Sequence, residues 1–452
     1  MGFPKDFVWG VASSAHQAEG TWAGDGKGRS VWDAFEEQEG RVCQGHTAKS
    51  ACDFYHRYPE DIHSMEKMGV KAYRFSVDWS RIFPEGTGRV NEEGLAFYDR
   101  LVEGLLEAGI EPYMTLFHWE LPYDLHKRGG WLNRDIARWF GMYAELLVRH
   151  FGDRVKYFFT LNEPQCFIGL GYLRGEHAPG LRGSLEDTVA MSHNVLRAHG
   201  AAVEKIREFG RKDTVVGYAP TAGVCYPKSQ RPEDIEAARS MFFSVPEDEK
   251  NWTWNVSWWS DPVMLGRYPE DGLRLYGQYL PKKYERDLEA ISQEIDIYGQ
   301  NIYNGRCFYM GENGMPQEER RCPGFPQTAS GWPVTPECLY WGPRFLYERY
   351  KKPICITENG MAGADVVFLD GCVHDPQRID FLQRYLRCLK RAAEEIDLRG
   401  YFHWTLTENF EWAMGYTLRF GLIYTDFCTQ ERIWKDSAYW YRDIIRGNGE
   451  QL

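Results

Sequence analysis

The feature that most constrains this chain is an alternation running its whole length, in which short β-type segments are separated by amphipathic helical stretches. Eight such segments occur, at 7–13, 71–77, 111–118, 157–163, 214–219, 296–303, 353–358 and 400–406. Several are nearly continuous in apolar residues, as strands covered on both faces should be. The helical stretches have legible ends. Asn133 is placed to cap a helix carrying Ile136, Phe140, Tyr143, Leu147 and Phe151 on one face, with Gly152 behind it. Asn91 is placed to start another, with Glu92 and Glu93 in its first turn and Leu95, Tyr98, Val102 and Leu105 facing inward. Asp375-Pro376 opens a third, where proline suits the first helical position. Eight strand–helix repeats in one unbroken chain predict an α/β fold, a (β/α)₈ barrel with long βα loops, rather than an open sheet. Its 452 residues would suggest three domains at about 150 each, but barrels with long loops exceed about 400. No linker or low-complexity tract divides the sequence, so residues 1–452 read as one barrel domain.

Composition excludes several partners. Lys and Arg number 53 against 65 Asp and Glu, a formal charge of −12, and no basic block stands out. Nucleic acid and anionic membrane are therefore poor partners. No run of 18 apolar residues spans a membrane, and the opening MGFPKDFVWG, broken by Lys5 and Asp6, is no signal peptide. Eleven cysteines without a Cys-x-x-Cys pair read as reduced thiols in a cytoplasmic protein, which makes the sequons at Asn251 and Asn255 chance. Gly26-Lys27 lacks the upstream glycine of a phosphate loop, and Gly169-Leu170-Gly171 lacks the third glycine of a dinucleotide fingerprint. No His-Glu-x-x-His pair or zinc-spaced Cys/His cluster is present, so neither metal nor organic cofactor is expected. The 15% aromatic content, with 17 Trp, suits a cleft that stacks flat ligand faces.

A barrel places its site at the C-terminal ends of the strands. There stand His118, Asn162-Glu163, Tyr303, Glu358 and the stretch 404–412. A glutamate ending a buried strand is poorly solvated, and a lone one is often half of a salt bridge. Two on separate strands, amid His, Asn and Trp, fit glycosidic cleavage. That reaction needs one carboxyl protonated to serve the leaving oxygen and one ionised to attack or to activate water. The second charge helps keep the first carboxyl protonated.

The motifs run in order as Phe7-Val8-Trp9-Gly10, Gln17-Ala18-Glu19-Gly20, Tyr73-Arg74-Phe75-Ser76 and Thr115-Leu116-Phe117-His118-Trp119. Asn162-Glu163-Pro164, Asn301-Ile302-Tyr303, Gly331-Trp332 and Thr357-Glu358-Asn359-Gly360 follow. Asn409-Phe410-Glu411-Trp412 and Arg419-Phe420-Gly421-Leu422 complete the set. Over essentially its whole length the chain resembles the β-glycosidases of glycoside hydrolase family 1. The resemblance implies a retaining enzyme acting on β-glucosyl residues of small glycosides or short oligosaccharides, with galactosyl or fucosyl tolerated. It implies Glu163 as general acid/base and Glu358 as nucleophile, with carboxyls about 5–5.5 Å apart. Arg74 and Tyr303 match residues contacting the nucleophile, and Asn162 the donor to the sugar 2-hydroxyl. Gln17, His118, Asn301 and Glu411 match polar contacts around the glycone. Trp119 falls in the same site motif as His118. Trp404 and Trp412 match walls of the glycone site, and Trp332 matches the platform under the aglycone.

The sequence departs from the family pattern at His16 (usually Tyr), Ala18 (branched apolar), Gln165 (Trp), Ile302 (Tyr), Thr407-Glu408 (Leu-Asp) and Cys338 (Gly). None removes a catalytic group. A non-catalytic sugar-binding relative would typically lack one of the glutamates, and a myrosinase-like one would have Gln at position 163. The remaining alternative is a 6-phospho-β-glucosidase. Such members generally have Ser for Glu411 with Lys and Tyr further on, where this chain has Leu418 and Phe420.

Overall fold

The computed structural model describes residues 2–20 and 24–452. All eight expected strands form: β1 (Val8–Ala12), β2 (Ala72–Ser76), β3 (Glu111–Thr115), β4 (Tyr157–Asn162), β5 (Val215–Ala219), β6 (Ile297–Asn301), β7 (Ile354–Asn359) and β8 (Leu398–Trp404). They pair in parallel in chain order, and β8 closes on β1 with Val8 opposite Gly400 and Ala12 opposite Trp404. Outside lie α1 (Phe54–Met68), α2 (Glu92–Glu107), α3 (Ile136–Phe151), α4 (Leu185–Phe209), α5 (Ser257–Leu265), α6 (Cys338–Tyr350), α7 (Pro376–Ala393) and α8 (Asp436–Arg446). Among the described residues no helix is long and apolar enough to cross a membrane.

One of the expected helix starts differs. Asp135, not Asn133, immediately precedes α3. Asn133 instead closes the turn before it, accepting from Asp135 N (2.9 Å) and donating to Arg128 O (2.7 Å). Asn91 does precede α2, but its amide ties together Asp25 O (2.8 Å) and Arg81 O (2.9 Å) rather than capping the helix.

The barrel is filled, not hollow. Tyr113, Phe159 and Phe402 project inward against Ala12, Ala72 and Ala219 in a cluster separate from the strand–helix core. Alternation of large and small residues is how a barrel of this size packs its taper. Two glycines make room for the rings. A Cβ at Gly10 would lie 2.4 Å from Phe402 Cδ1, and one at Gly217 would lie 2.4 Å from Phe159 Cε1.

Both strands that carry the expected acids are irregular just before them. The β4–β5 register shifts between Phe159 and Asn162, and the β7–β6 register between Ile356 and Glu358. Such shifts bend a strand and re-aim its side chains. Above this rim lie the long loops after β1, β5, β6 and β8.

Candidate active site

Glu163 is the residue after β4, at φ +46°, and Glu358 lies within β7. A non-glycine residue in left-handed backbone costs of order 1 kcal/mol and persists where its surroundings over-determine it. Here Glu163 N donates to Ala219 O (2.9 Å), which fixes the chain as it leaves the barrel. Both glutamates line one cavity of about 470 Å³ at the C-terminal mouth of the barrel.

Their partners differ in kind. Glu358 Oε1 accepts from Arg74 Nη1 (2.6 Å), and Oε2 accepts from Tyr303 Oη (2.7 Å). Burial and the Glu358 charge push the Tyr303 phenol well above its usual range, so it stays a donor. Glu163 Oε1 accepts from the neutral amide Asn301 Nδ2 (2.7 Å), and Oε2 faces Cys166 Sγ (3.0 Å). Burial, then the Glu358 charge, pushes the Glu163 carboxyl up to about 7. Burial also raises Glu358, but Arg74 and the Tyr303 hydroxyl oppose it, so Glu358 ionises first.

Arg74 sets the orientation of the amides around these acids. Its Nη2 donates to Asn162 Oδ1 (2.6 Å), and a guanidinium can only donate. Asn162 Nδ2 therefore faces His118 Nε2 (3.0 Å), which must accept. Burial and the Arg74 charge drive His118 far below the usual histidine range, so the ring is neutral with its proton on Nδ1. Among the described residues that buried Nδ1 has no partner, and it can donate to a ligand hydroxyl.

The expected site residues fall into two layers. His118, Trp119, Tyr303, Trp332, Trp404, Glu411 and Trp412 line the cavity with the two glutamates. Arg74, Asn162, Gln17 and Asn301 stand behind them, buried to within 1% of full enclosure. Asn301 is engaged wholly by protein: Nδ2 also donates to Asn162 Oδ1 (3.0 Å), and Oδ1 accepts from Thr357 Oγ1 (2.6 Å). Gln17 Nε2 donates to Phe410 O (3.0 Å) and reaches Glu411 Oε2 (3.4 Å). Burial, then the charges of Glu358 and Glu163, raises Glu411 to about 8.

Aromatic rings form one wall. Trp412 stacks on Trp119 at 4.5 Å and 28°, and His118 stacks near Trp404 at 5.7 Å and 23°. His16, where the family usually has Tyr, lies parallel to Trp412 at 5.9 Å and 2°. Trp332 meets Tyr303 at 5.1 Å on another side. Gln165 spans two loops, donating to Thr221 O (3.0 Å) and Asn255 O (3.2 Å). Glu408 is paired with Lys435 (2.5 Å), away from the cavity, and Ile302 and Cys338 are buried.

Sequence reasoning missed Cys166, Leu170, His177 and Trp254, all lining the cavity. Cys166 was within reach, since a residue three beyond a strand-end glutamate, on the turn that follows, faces back toward it. Leu170 lies in the π-helical turn Gly169–Arg174 that follows, and His177 and Trp254 sit in irregular segments where no periodicity marks them. Among the described residues no three His, Cys, Asp or Glu side chains group so as to hold a metal ion.

A family model described as Glycosyl hydrolase family 1 matches residues 1–450. The 1,4-beta-D-glucan glucohydrolase of Thermotoga neapolitana is 45% identical over 449 residues, covering 99% of each chain. Beta-glucosidase A of Thermotoga maritima is 45% identical over 449 residues, covering 99% of this chain and 98% of that protein. A solved structure of beta-glucosidase from Thermotoga maritima in complex with glucoimidazole aligns with a TM-score of 0.90 at 44% identity, covering 99% of each chain.

Proposed function

The chain belongs to glycosyl hydrolase family 1, and we propose that Glu163 and Glu358 perform its reaction as acid/base and nucleophile. It is a glycoside hydrolase of the β-glucosidase type, releasing terminal β-D-glucosyl residues with retention of configuration. One observation carries the assignment of roles. A cation and a phenol hold the Glu358 carboxylate, whereas Glu163 has a neutral amide and a thiol beside it and is raised to about 7.

In the first step Glu358 attacks the anomeric carbon while Glu163 gives its proton to the departing oxygen. The covalent glycosyl ester then sits on Glu358. Glu163, now ionised, takes a proton from the incoming water, and the two displacements restore the β configuration. Asn162 Nδ2 keeps one hydrogen free of His118, available to the sugar 2-hydroxyl, where the bond strengthens as positive charge develops. His118 Nδ1 and Glu411 offer polar contacts to the other hydroxyls, with Gln17 holding Glu411 from behind and Trp404, Trp412 and Trp119 as apolar walls. Trp332, at the cavity edge beside Tyr303, carries the aglycone.

The glycone is an unphosphorylated sugar in this reading, glucose first, with galactose or fucose tolerated. Glu163, Glu358 and Glu411 already face one another, and Leu418 and Phe420 line the same cavity without supplying a cation. A 6-phosphate would add charge to that repulsion, worth several kcal/mol at contact distance in a partly desolvated cleft. The nitrophenyl β-glucoside should therefore be cleaved at least about 100-fold faster than its 6-phospho derivative. An enzyme that prefers the phosphorylated glycoside would overturn this reading. Residues 1–452 act as one catalytic unit in the same proposal, supported by the closure of β8 on β1 and by the bond from Trp9 Nε1 to Asn448 Oδ1 (2.9 Å). A cytoplasmic location is supported by eleven free thiols.

A further inference from the structure

We propose that Cys166 is a positioning residue for the acid/base, its thiol holding Glu163 Oε2 as the proton-transferring oxygen and favouring the ionised state that the second displacement needs. The inference rests on the acid/base reading of Glu163.

The hydrogen-bond chain decides which oxygen carries the proton. Arg74 fixes Asn162 Oδ1 as an acceptor, so Asn301 presents Nδ2 to it. Thr357 Oγ1 occupies Asn301 Oδ1, which leaves the same Nδ2 to donate to Glu163 Oε1. In a neutral carboxyl the carbonyl oxygen is the better acceptor, so the short bond from a fixed N–H favours Oε1 as the carbonyl oxygen. The mobile proton therefore belongs on Oε2, which Cys166 Sγ approaches to 3.0 Å. Cys166 is 7% exposed, and burial together with the Glu163 charge keeps its thiol protonated. The S–H can take one lone pair of Oε2, which leaves the O–H to point into the cavity toward the leaving oxygen. Once that proton has gone, the S–H faces the new charge and stabilises it.

Other groups also face Glu163. Glu358 and Glu411 oppose its ionisation, and Arg74 favours it. Tyr303 is held as a neutral phenol, while His118 and His177 are held as neutral imidazoles, so none of them adds charge. The thiol is thus a weak bias superimposed on larger ones, and its removal should move the titration without abolishing it.

The test is the pH profile of kcat/KM on nitrophenyl β-glucoside for the wild type, Cys166→Ala and Cys166→Ser, with Glu163→Gln alongside. Cys166→Ala should shift the alkaline limb upward by about 0.5 pH unit, since a weak bond to the ionised form is lost. Cys166→Ser should bring the limb back at least to the wild-type position, because a hydroxyl is the better donor. The acid limb, set by Glu358, should stay put in both variants. Cleavage of dinitrophenyl β-glucoside in the first step, which needs no acid, should match the wild type and so exclude general damage. An alkaline limb unmoved by Cys166→Ala, or a serine variant that tracks the alanine one, overturns the proposal. If Glu163→Gln itself keeps the alkaline limb, the acid/base reading fails instead.

Discussion

Glu358→Ala abolishes turnover, with kcat falling on the order of 10⁶-fold, the scale on which covalent mechanisms fail when the nucleophile is removed. The fold should survive. Arg74 is 1% exposed, and an unpaired buried charge would be costly, but it keeps Asn162 Oδ1 (2.6 Å) and Thr357 O (3.3 Å) as acceptors. Removing one of three mutually repelling carboxyls works in the stabilising direction. The same variant should lower the proton affinity of Glu163 and Glu411, both raised in part by the Glu358 charge. Azide entering the vacated space attacks from the side Glu358 occupied, so the product is the α-glycosyl azide. Turnover within about tenfold of wild type, or a β-azide, would remove Glu358 from its role.

Glu163→Ala separates leaving groups. A proton donor matters only where the departing oxygen is basic, so alkyl glucosides and disaccharides should slow by about 10²–10⁴-fold. Dinitrophenyl glucoside should still glycosylate Glu358, because its aryloxide leaves unaided. Hydrolysis then stalls without a base for water, and the covalent intermediate accumulates. Azide needs no deprotonation, restores turnover, and now yields the β-glycosyl azide, the opposite anomer from the Glu358 variant. The wild type requires Glu163 protonated for the first step, and burial with the Glu358 charge sets that proton's loss near pH 7. Its kcat/KM should therefore fall as pH rises through about 7, and the variant should lack that limb. Equal slowing for every leaving group, with no effect of azide, would make Glu163 structural.

Much of this was legible in the sequence because a barrel strand is buried on both faces. The apolar runs at β2, β6 and β7 stand out for that reason, and every residue of those strands is buried. Strand ends were less legible. His118 lies three residues beyond β3 although the apolar run continues to it, because Leu116 and Phe117 pack in the core after the ladder stops. Asn133 reads as a cap from its type alone, yet its side chain closes the preceding turn, a choice that local sequence leaves open. The motifs placed Glu163 and Glu358 at strand ends. They did not disclose the register shifts that aim those side chains or the left-handed backbone of Glu163, which arise from pairing with β5 and β6. Asn301 shows the same boundary. Its family position suggested a sugar contact, whereas its amide bridges Glu163, Asn162 and Thr357, residues brought together only by barrel closure. His177 and Trp254 reach the cavity from irregular loops, whose course depends on what they pack against.

The central claim is double displacement through a covalent ester on Glu358, assisted by Glu163. Proton NMR of the sugar first released from a β-glucoside, recorded before mutarotation sets in, tests it most directly. Two inversions at the anomeric carbon require the β-anomer to appear first, with the α-anomer growing only as mutarotation proceeds. An α-anomer appearing first would mean a single displacement by water, and would contradict the account.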